Sequence, residues 1–430
     1  MKLSRFTNIF KYENKYILHN TLVDTAISVI SPELCRFIDT IEDGEAFHIE
    51  RSNTFLDILV KLNLIVDEAE DELSTLNGFY YEFEHNSELY VMLIVTRRCN
   101  FRCAYCYEDY QNVDMSSEVF ENTKEYILGE IKEKHYRKVT VSFFGGEPTL
   151  MAKEINEFMS SLLFANENLP EPAYIRAIMT TNGYLLTSKM LHQFVHNHII
   201  RYQITLDGFK DIHDSTRYLA NGVGTWETIV ENLNNFNNLK EKNVTVLLRS
   251  NVTPALYNRI DEWLEFIHNN FCGSAFKIHF EAAKDFGNMN NPDIELIANE
   301  TDVILDIIDR AKKWKLPLEL VGFSTTPFSM MCYASRQSYF IIDYNGDVKK
   351  CTSSPLDEPY NNVGKLTERG MTIYKKKAAQ WTSYELDDRC KNCSILALCY
   401  RRKCPLARYS FAKCELLKKS YEKGIEYRYY

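Results

Sequence analysis

Cys99, Cys103 and Cys106 fall within eight residues, spaced Cys-x3-Cys-x2-Cys, directly after the apolar run at 90–95. A run of that kind reads as a buried strand. The chain must therefore hold a strand whose C-terminal end feeds a loop dense in thiols. A cubane [4Fe–4S] cluster ordinarily takes four cysteines. Three with no fourth nearby would leave one iron open to a small molecule. For any one cysteine the plain alternative is an inert small hydrophobe. That reading suits Cys35, beside the helical stripe Leu34, Phe37, Ile38 and Ile41, and it is also the first reading of Cys272.

Composition narrows the classes. The chain has 430 residues, long enough for two or three domains. Its 50 basic against 59 acidic residues give a net charge of −9, which leaves no basic footprint for nucleic acid. No stretch approaches the roughly 18 apolar residues of a membrane span, and the N-terminal residues lack the apolar core of a signal peptide. A cytoplasmic setting is expected. There the 12 cysteines read as metal ligands or catalysts rather than a disulfide framework.

Three regions separate by pattern. Residues 1–86 open with a hairpin through Lys15–Leu18 and Ala26–Ile30. Ser31-Pro32 then starts a helix, a second helix follows around Phe55 to Leu62, and a short strand lies at Leu64–Val66. This order resembles the winged-helix-like leader-peptide recognition modules at the front of many peptide maturases. The acidic run Asp67–Glu72 reads as a solvated connector. Residues 87–318 alternate β-rich runs, at 90–95, 138–144, 174–181, 201–206, 244–252 and 276–282, with helical patterns. Six βα units give an α/β fold with a parallel sheet, open or closed into a barrel. Residues 319–430 are cysteine-rich, turn-rich and poor in long amphipathic helices, as in a metal-organised domain.

The three-cysteine loop resembles the motif of the radical S-adenosylmethionine (SAM) superfamily. About one βα unit downstream, Phe143-Phe-Gly-Gly-Glu-Pro148 matches that family's methionine-binding loop. The resemblance implies a partial (β/α)6 barrel with its chemistry at the C-terminal ends of the strands. It makes Cys99, Cys103 and Cys106 cluster ligands and gives SAM the open iron, where reductive cleavage starts hydrogen abstraction from a substrate. Tyr105 takes the position that contacts adenine, with ordinary core packing an equal alternative. Gly145 and Gly146 allow close backbone approach, and Glu147 accepts from the methionine ammonium. Ile204-Thr-Leu-Asp-Gly208 and His213-Asp-Ser-Thr-Arg217 match two further elements. By that match Thr205 and Arg217 hold the methionine carboxylate; the usual fate of a lone Arg is instead a surface ion-pair partner. Residues 180–183 and 249–251 fall at strand ends where ribose or substrate would lie.

Cys332, Cys351, Cys390, Cys393, Cys399, Cys404 and Cys414 resemble the auxiliary-cluster (SPASM) domain of radical maturases, although the interval before Cys404 is one residue longer than usual. Position by position, Cys390, Cys393, Cys399 and Cys414 would ligate auxiliary cluster II. Cys332, Cys351 and Cys404 would hold auxiliary cluster I, with Cys272 a conceivable further ligand. The implied cofactors are SAM and three [4Fe–4S] clusters. The implied partners are a ribosomal precursor peptide with its leader and a low-potential donor such as flavodoxin or ferredoxin, with no nucleic acid and no membrane. The leading expectation is a maturase forming intramolecular Cys thioethers. Carbon–carbon cross-linking and formylglycine formation on sulfatases are the enzymatic alternatives. A zinc-stabilised peptide-binding protein and an iron–sulfur electron carrier are the non-enzymatic ones.

Overall fold

The computed structural model describes residues 1–42, 54–85, 88–239, 241, 243–285, 294–319, 324–382, 386, 388–400 and 412–429. Cys404 lies outside them. The chain forms two compact units, one of Met1–Asn86, Leu320–Arg336 and Trp381–Tyr430, the other of Ser87–Glu319 and Gln337–Gln380. The segment 319–430 is thus divided between both.

In the first unit, β1 (Lys2–Leu3) pairs with β5 (Ile65–Val66), and β2 (Thr7–Tyr12), β3 (Lys15–Asn20) and β4 (Thr25–Val29) form an antiparallel meander. Ile9, Leu18 and Ile27 face one another across its three strands. The helices Pro32–Glu42 and Thr54–Lys61 bury Ile38, Ile41, Leu56 and Leu59 against Leu18, Val29, Leu64 and Ile65. Proline at the first helical position is already set to the helical φ and lacks the N–H that would have no partner. The hairpin, both helices and the short strand fall where the sequence placed them. Cys35 packs against this core as a small hydrophobe.

The acidic run is exposed from Asp67 to Asp71, as a solvated connector is, and its last residue opens a helix. Glu72 is buried, accepts from the Ser4 hydroxyl and from the Arg5 N–H at 3.1 Å, and opens the helix Glu72–His85. A carboxylate in the first turn of a helix complements its dipole. Leu73, Leu76, Tyr80 and Phe83 of that helix pack with Phe6, Leu22, Phe328, Leu396 and Tyr400. Residues beyond 319 were expected to be poor in long amphipathic helices, and the long helix found there among the described residues, Ala412–Tyr429, has little apolar periodicity. Its core contact rests on Tyr421 and Ile425, one turn apart, in a segment otherwise crowded with Lys and Glu.

In the second unit six strands run parallel in sequential order: β6 (Leu89–Thr96), β7 (Lys138–Gly145), β8 (Tyr174–Thr181), β9 (Ile199–Thr205), β10 (Thr245–Val252) and β11 (Phe276–Ala282). Helices follow each strand, among them Ser117–Lys134, Ala152–Glu167, Ser188–His196, Trp226–Asn237, Ile260–Asn270 and Glu300–Lys312. This is an α/β fold with six βα units. In β9 Tyr202 and Ile204 are buried, whereas Arg201, Gln203 and Thr205 are half-buried. The period of two gives β9 one buried apolar face and one more polar face.

The sheet does not stop at β6. Tyr339–Ile342 (β12) adds to it in parallel, and β13 (Asp347–Lys349), β14 (Asn362–Thr367) and β15 (Gly370–Ile373) continue it antiparallel. Tyr90 and Tyr339 stack across the β6–β12 junction at 4.6 Å. With β11 and β15 at its edges the sheet is open, which settles what strand spacing left undecided. Among the described residues no helix is long and apolar enough to cross a membrane.

Candidate functional site

β6 delivers the cysteine loop to the C-terminal end of the sheet, and β7 clamps it there. The Gly146 N–H donates to the Thr96 carbonyl at 3.0 Å and the Glu147 N–H to the Arg98 carbonyl at 2.8 Å. A Cβ on Gly145 would lie 2.1 Å from the Thr96 carbonyl oxygen, and one on Gly146 2.2 Å from that of Arg98. Gly145 also holds φ +128°, which favours glycine. The close approach these glycines permit is to the cysteine loop itself. On the other side Arg98 forks onto Asp114 at 2.8 and 2.7 Å.

Within that loop burial pushes the Cys99 thiol up to about 12 and Cys106 up to about 11, and raises Cys103 as well. Sheltered thiols of this kind become thiolates only when a nearby positive charge offsets their desolvation, and coordinated iron supplies it. No described cysteine is in a disulfide. Among the described residues no three His, Cys, Asp or Glu side chains converge on a single ion. A cubane asks for no such convergence, because each cysteine binds a different iron corner.

Glu147 is 1% exposed. Its Oε1 accepts from the Thr149 N–H at 2.9 Å and from the Thr149 and Thr181 hydroxyls at 2.6 Å each; its Oε2 accepts from the Asn182 N–H at 2.7 Å. Burial raises its pKa, and these donors work against that rise. The carboxylate locks the end of β7 to the end of β8, and Oε2, with one donor, keeps capacity for another. Asn182 reaches on to Asn100 in the cysteine loop at 2.8 Å, and the Asn100 Nδ2 is buried without a partner.

The second half of the site centres on Tyr105. Its hydroxyl donates to Asp207 and accepts from Arg217 Nη1 at 2.8 Å and Asn251 Nδ2 at 3.1 Å. One donor and two acceptor positions are thereby filled, which fixes the ring. Asp207 also accepts from the Asn251 N–H at 2.7 Å. Arg217 is buried, lies over the Phe101 ring at 5.7 Å, and has an Nε with no partner. The surface ion-pair reading of Arg217 is therefore wrong. A buried guanidinium with an open donor fits a carboxylate ligand, since leaving it unpaired is costly.

A buried relay positions Arg217. The Asp207 N–H donates to His213 Nδ1 at 3.1 Å, which leaves the proton on Nε2, facing Thr225 Oγ1 at 3.1 Å. The Thr225 hydroxyl donates on to the Arg217 carbonyl at 2.8 Å. Burial holds His213 well below its ordinary pKa, so it is neutral. Asp214 meanwhile accepts from the Thr225 and Trp226 N–H groups at 2.8 and 2.9 Å. Thr205, half-buried at the end of β9, lies opposite Arg249 on β10.

Sequence reasoning missed this relay and also Arg97, which is buried and paired to Asp343 at 2.5 Å and bidentately to Asp357 at 2.7 and 2.9 Å. The doublet Arg97-Arg98 was the only local signal; its partners lie about 250 residues away. The segments 180–183 and 249–251 act here as scaffold for Glu147 and Tyr105. Of the auxiliary cysteines, Cys351 is buried after β13, its backbone held by Asn361 at 3.1 and 2.8 Å. Cys332, Cys390, Cys393, Cys399 and Cys414 belong to the first unit, and Cys414 is exposed. Cys272 precedes β11, at the strand end opposite the three-cysteine loop.

A cysteine loop at the mouth of a parallel βα sheet, with a buried arginine whose Nε is open, fits a class of cluster-bearing enzymes that bind a carboxylate cofactor beside iron. The model of the Radical SAM superfamily matches residues 93–267, which therefore form a Radical SAM domain. Such a domain implies SAM and a [4Fe–4S] cluster and makes the protein an enzyme, which sets aside the zinc-stabilised and electron-carrier readings. A cysteine-type anaerobic sulfatase-maturating enzyme of Clostridium novyi is 24% identical over 357 residues, covering 76% of this chain and 92% of that protein. An Fe-coproporphyrin III synthase of Methanosarcina barkeri is 24% identical over 243 residues, 54% of each chain. Among solved structures, anSMEcpe with bound AdoMet superposes with TM-score 0.60 at 17% identity, covering 79% of this chain and 97% of that one. Streptococcus suis SuiB bound to S-adenosylmethionine gives TM-score 0.51 at 15% identity, covering 96% and 97%. The fold fits a radical SAM maturase with an additional C-terminal domain.

Proposed function

We propose that this enzyme is a SPASM-type maturase that cross-links a ribosomal precursor peptide, forming thioethers from cysteine. The observation that carries the reading is the N-terminal module, a three-stranded antiparallel sheet over two helices. The likeness to SuiB extends over 96% of this chain against 79% for anSMEcpe, and the additional coverage is about the length of that module. SuiB has also been solved bound to its precursor peptide SuiA. Sheets with an exposed edge strand bind extended peptides by adding a strand, and β2 and β4 are the edges here.

In this reading Cys99, Cys103 and Cys106 hold the cluster that binds SAM, whose cleavage supplies the hydrogen-abstracting radical. Arg217 and Thr205 orient the methionine carboxylate, and Glu147 receives the ammonium on Oε2. Tyr105, fixed through its saturated hydroxyl, presents its ring to the adenine, while Gly145 and Gly146 seat the cysteine loop. Cys390, Cys393, Cys399 and Cys414 ligate auxiliary cluster II. Cys332, Cys351 and Cys404 ligate auxiliary cluster I. Seven cysteines are one short of the eight that two cubanes need, which leaves an iron for the substrate thiolate and favours thioether chemistry. A flavodoxin or ferredoxin in the cytoplasm supplies the electrons.

The Clostridium novyi relative supports a second reading, formylglycine formation on a sulfatase. One experiment separates the readings: anaerobic reaction with a Cys-containing precursor encoded beside this gene, followed by thiol alkylation and mass spectrometry. A thioether loses two hydrogens and one alkylatable thiol per link. A carbon–carbon link loses the hydrogens and keeps the thiol, and formylglycine loses its sulfur altogether. Either of the last two outcomes overturns the thioether assignment.

A further inference from the structure

We propose that auxiliary cluster II is a structural staple of the N-terminal module, so that losing it opens the β2–β4 sheet and leaves the parallel sheet intact. The inference rests on the ligand assignment above and adds a role that the reaction does not require.

The cysteine segment shares two cores with the N-terminal module, separate from the one its two helices cover. Between Cys393 and Tyr400, Ile395, Leu396, Ala397 and Leu398 are all at most 4% exposed. Leu396, Ala397 and Tyr400 share one core with Phe6, Leu22 and Leu76, and Cys390 and Cys393 pack at its margin. Ile395 and Leu398 share another with Ile17 of β3 and with Tyr421 and Ile425 of the last helix. Polar contacts follow the same route. Ser394 donates to Asn8 at 2.5 Å, Thr21 donates to the Ser394 carbonyl at 2.8 Å, and the Tyr400 hydroxyl donates to Asn77 at 2.7 Å.

Yet this segment has little local structure of its own. Its helical pieces, Asp388–Lys391 and Leu396–Cys399, are four residues each, far below the length at which a helix holds itself in water. The helix that carries Cys414 reaches the same sheet through Tyr421 and His19 at 2.7 Å, Arg428 and Asp24 at 2.7 Å, and Lys15 and the Tyr429 carbonyl at 2.6 Å. Iron bridging the cysteines of both segments would tie them beneath β2 and β3. Metal-binding free energy at such a site is folding free energy, and by linkage the sheet must in turn hold the metal.

The test is hydrogen–deuterium exchange on the anaerobically reconstituted full chain, with iron quantified. It compares Cys390→Ala/Cys393→Ala with Cys99→Ala/Cys103→Ala/Cys106→Ala. Each variant should lose about four irons. Exchange in residues 7–29 should rise about tenfold or more in the first variant only, with residues 89–145 unchanged in that variant. Unchanged exchange in 7–29 after iron loss overturns the proposal, as does an equal rise through 89–145. Should the first variant not accumulate, Asn8→Ala/Thr21→Val tests the reciprocal effect. Iron bound at residues 390–414 should then pass to a chelator several-fold faster, and an unaltered release rate overturns the proposal. A chain that fails to bind leader peptide would refute the functional reading and leave this coupling standing.

Discussion

Replacing Gly146 with Ala puts one methyl group where it has nowhere to go. The added Cβ would sit 2.2 Å from the Arg98 carbonyl oxygen, 2.6 Å from its carbon and 3.1 Å from the Arg97 carbonyl carbon. All three atoms are backbone, so no side chain can swing aside. Restoring van der Waals distance moves the loop by roughly 1 Å, enough to break the bonds from the Gly146 and Glu147 N–H groups to Thr96 and Arg98. Each leaves a sheltered backbone group unpaired at about 1–3 kcal/mol, so the pair costs about 2–6 kcal/mol. Cys99 follows Arg98 directly, so the same shift misplaces the first thiolate. Chemical denaturation of the reconstituted protein should show that loss together with reduced iron retention at the three-cysteine loop. Gly222→Ala is the control: Gly222 holds φ +84° but has open space around it, so it should cost only about 1–2 kcal/mol and leave iron untouched. If Gly146→Ala matches that control in stability and iron, the loop is not clamped by β7 as argued.

Arg217→Ala should weaken SAM binding by about 1.5–3 kcal/mol, the worth of a charged hydrogen bond, as read by titration calorimetry; unchanged affinity would return the residue to a purely structural role. The Cys99→Ala/Cys103→Ala/Cys106→Ala variant should form no 5′-deoxyadenosine while keeping its auxiliary iron, and persistent cleavage would refute the site. Glu281 is desolvated, which raises its pKa, but His279 and Lys284 more than compensate and hold it down at about 2. A carboxylate lowered on folding contributes stability above its unfolded value near 4.5 and loses it as pH falls toward 2. Unfolding free energy should therefore fall on the order of 2–3 kcal/mol across that window, and Glu281→Gln should flatten this part of the profile. An unchanged profile in Glu281→Gln would show that the pair contributes nothing.

Deleting residues 1–86 is a poor test of leader binding. Phe6, Ile17, Leu22 and Leu76 share their cores with Phe328, Leu396, Leu398 and Tyr421. Removing one side exposes the other, and lost affinity would then report collapse of the unit rather than loss of an edge strand. Substitutions confined to the outer edge of β2 or β4 avoid that ambiguity.

Local pattern by itself determined the six βα units, the N-terminal hairpin and helices, and the cysteine and glycine motifs, because each is a matter of periodicity or spacing within about ten residues. The tertiary structure alone decided what those motifs do. It turned Gly146 toward the Arg98 carbonyl, saturated the Tyr105 hydroxyl, and buried Arg217 with an open Nε. It joined Arg97 to Asp343 and Asp357, and it set His213 between Asp207 and Thr225. It also packed the helix that begins at the end of the acidic run into a core shared with the cysteine segment at 390–400. A sequence pattern records which face of an element is apolar, but a hydrogen bond or a shared core depends on which distant element meets that face, and only folding brings the two together.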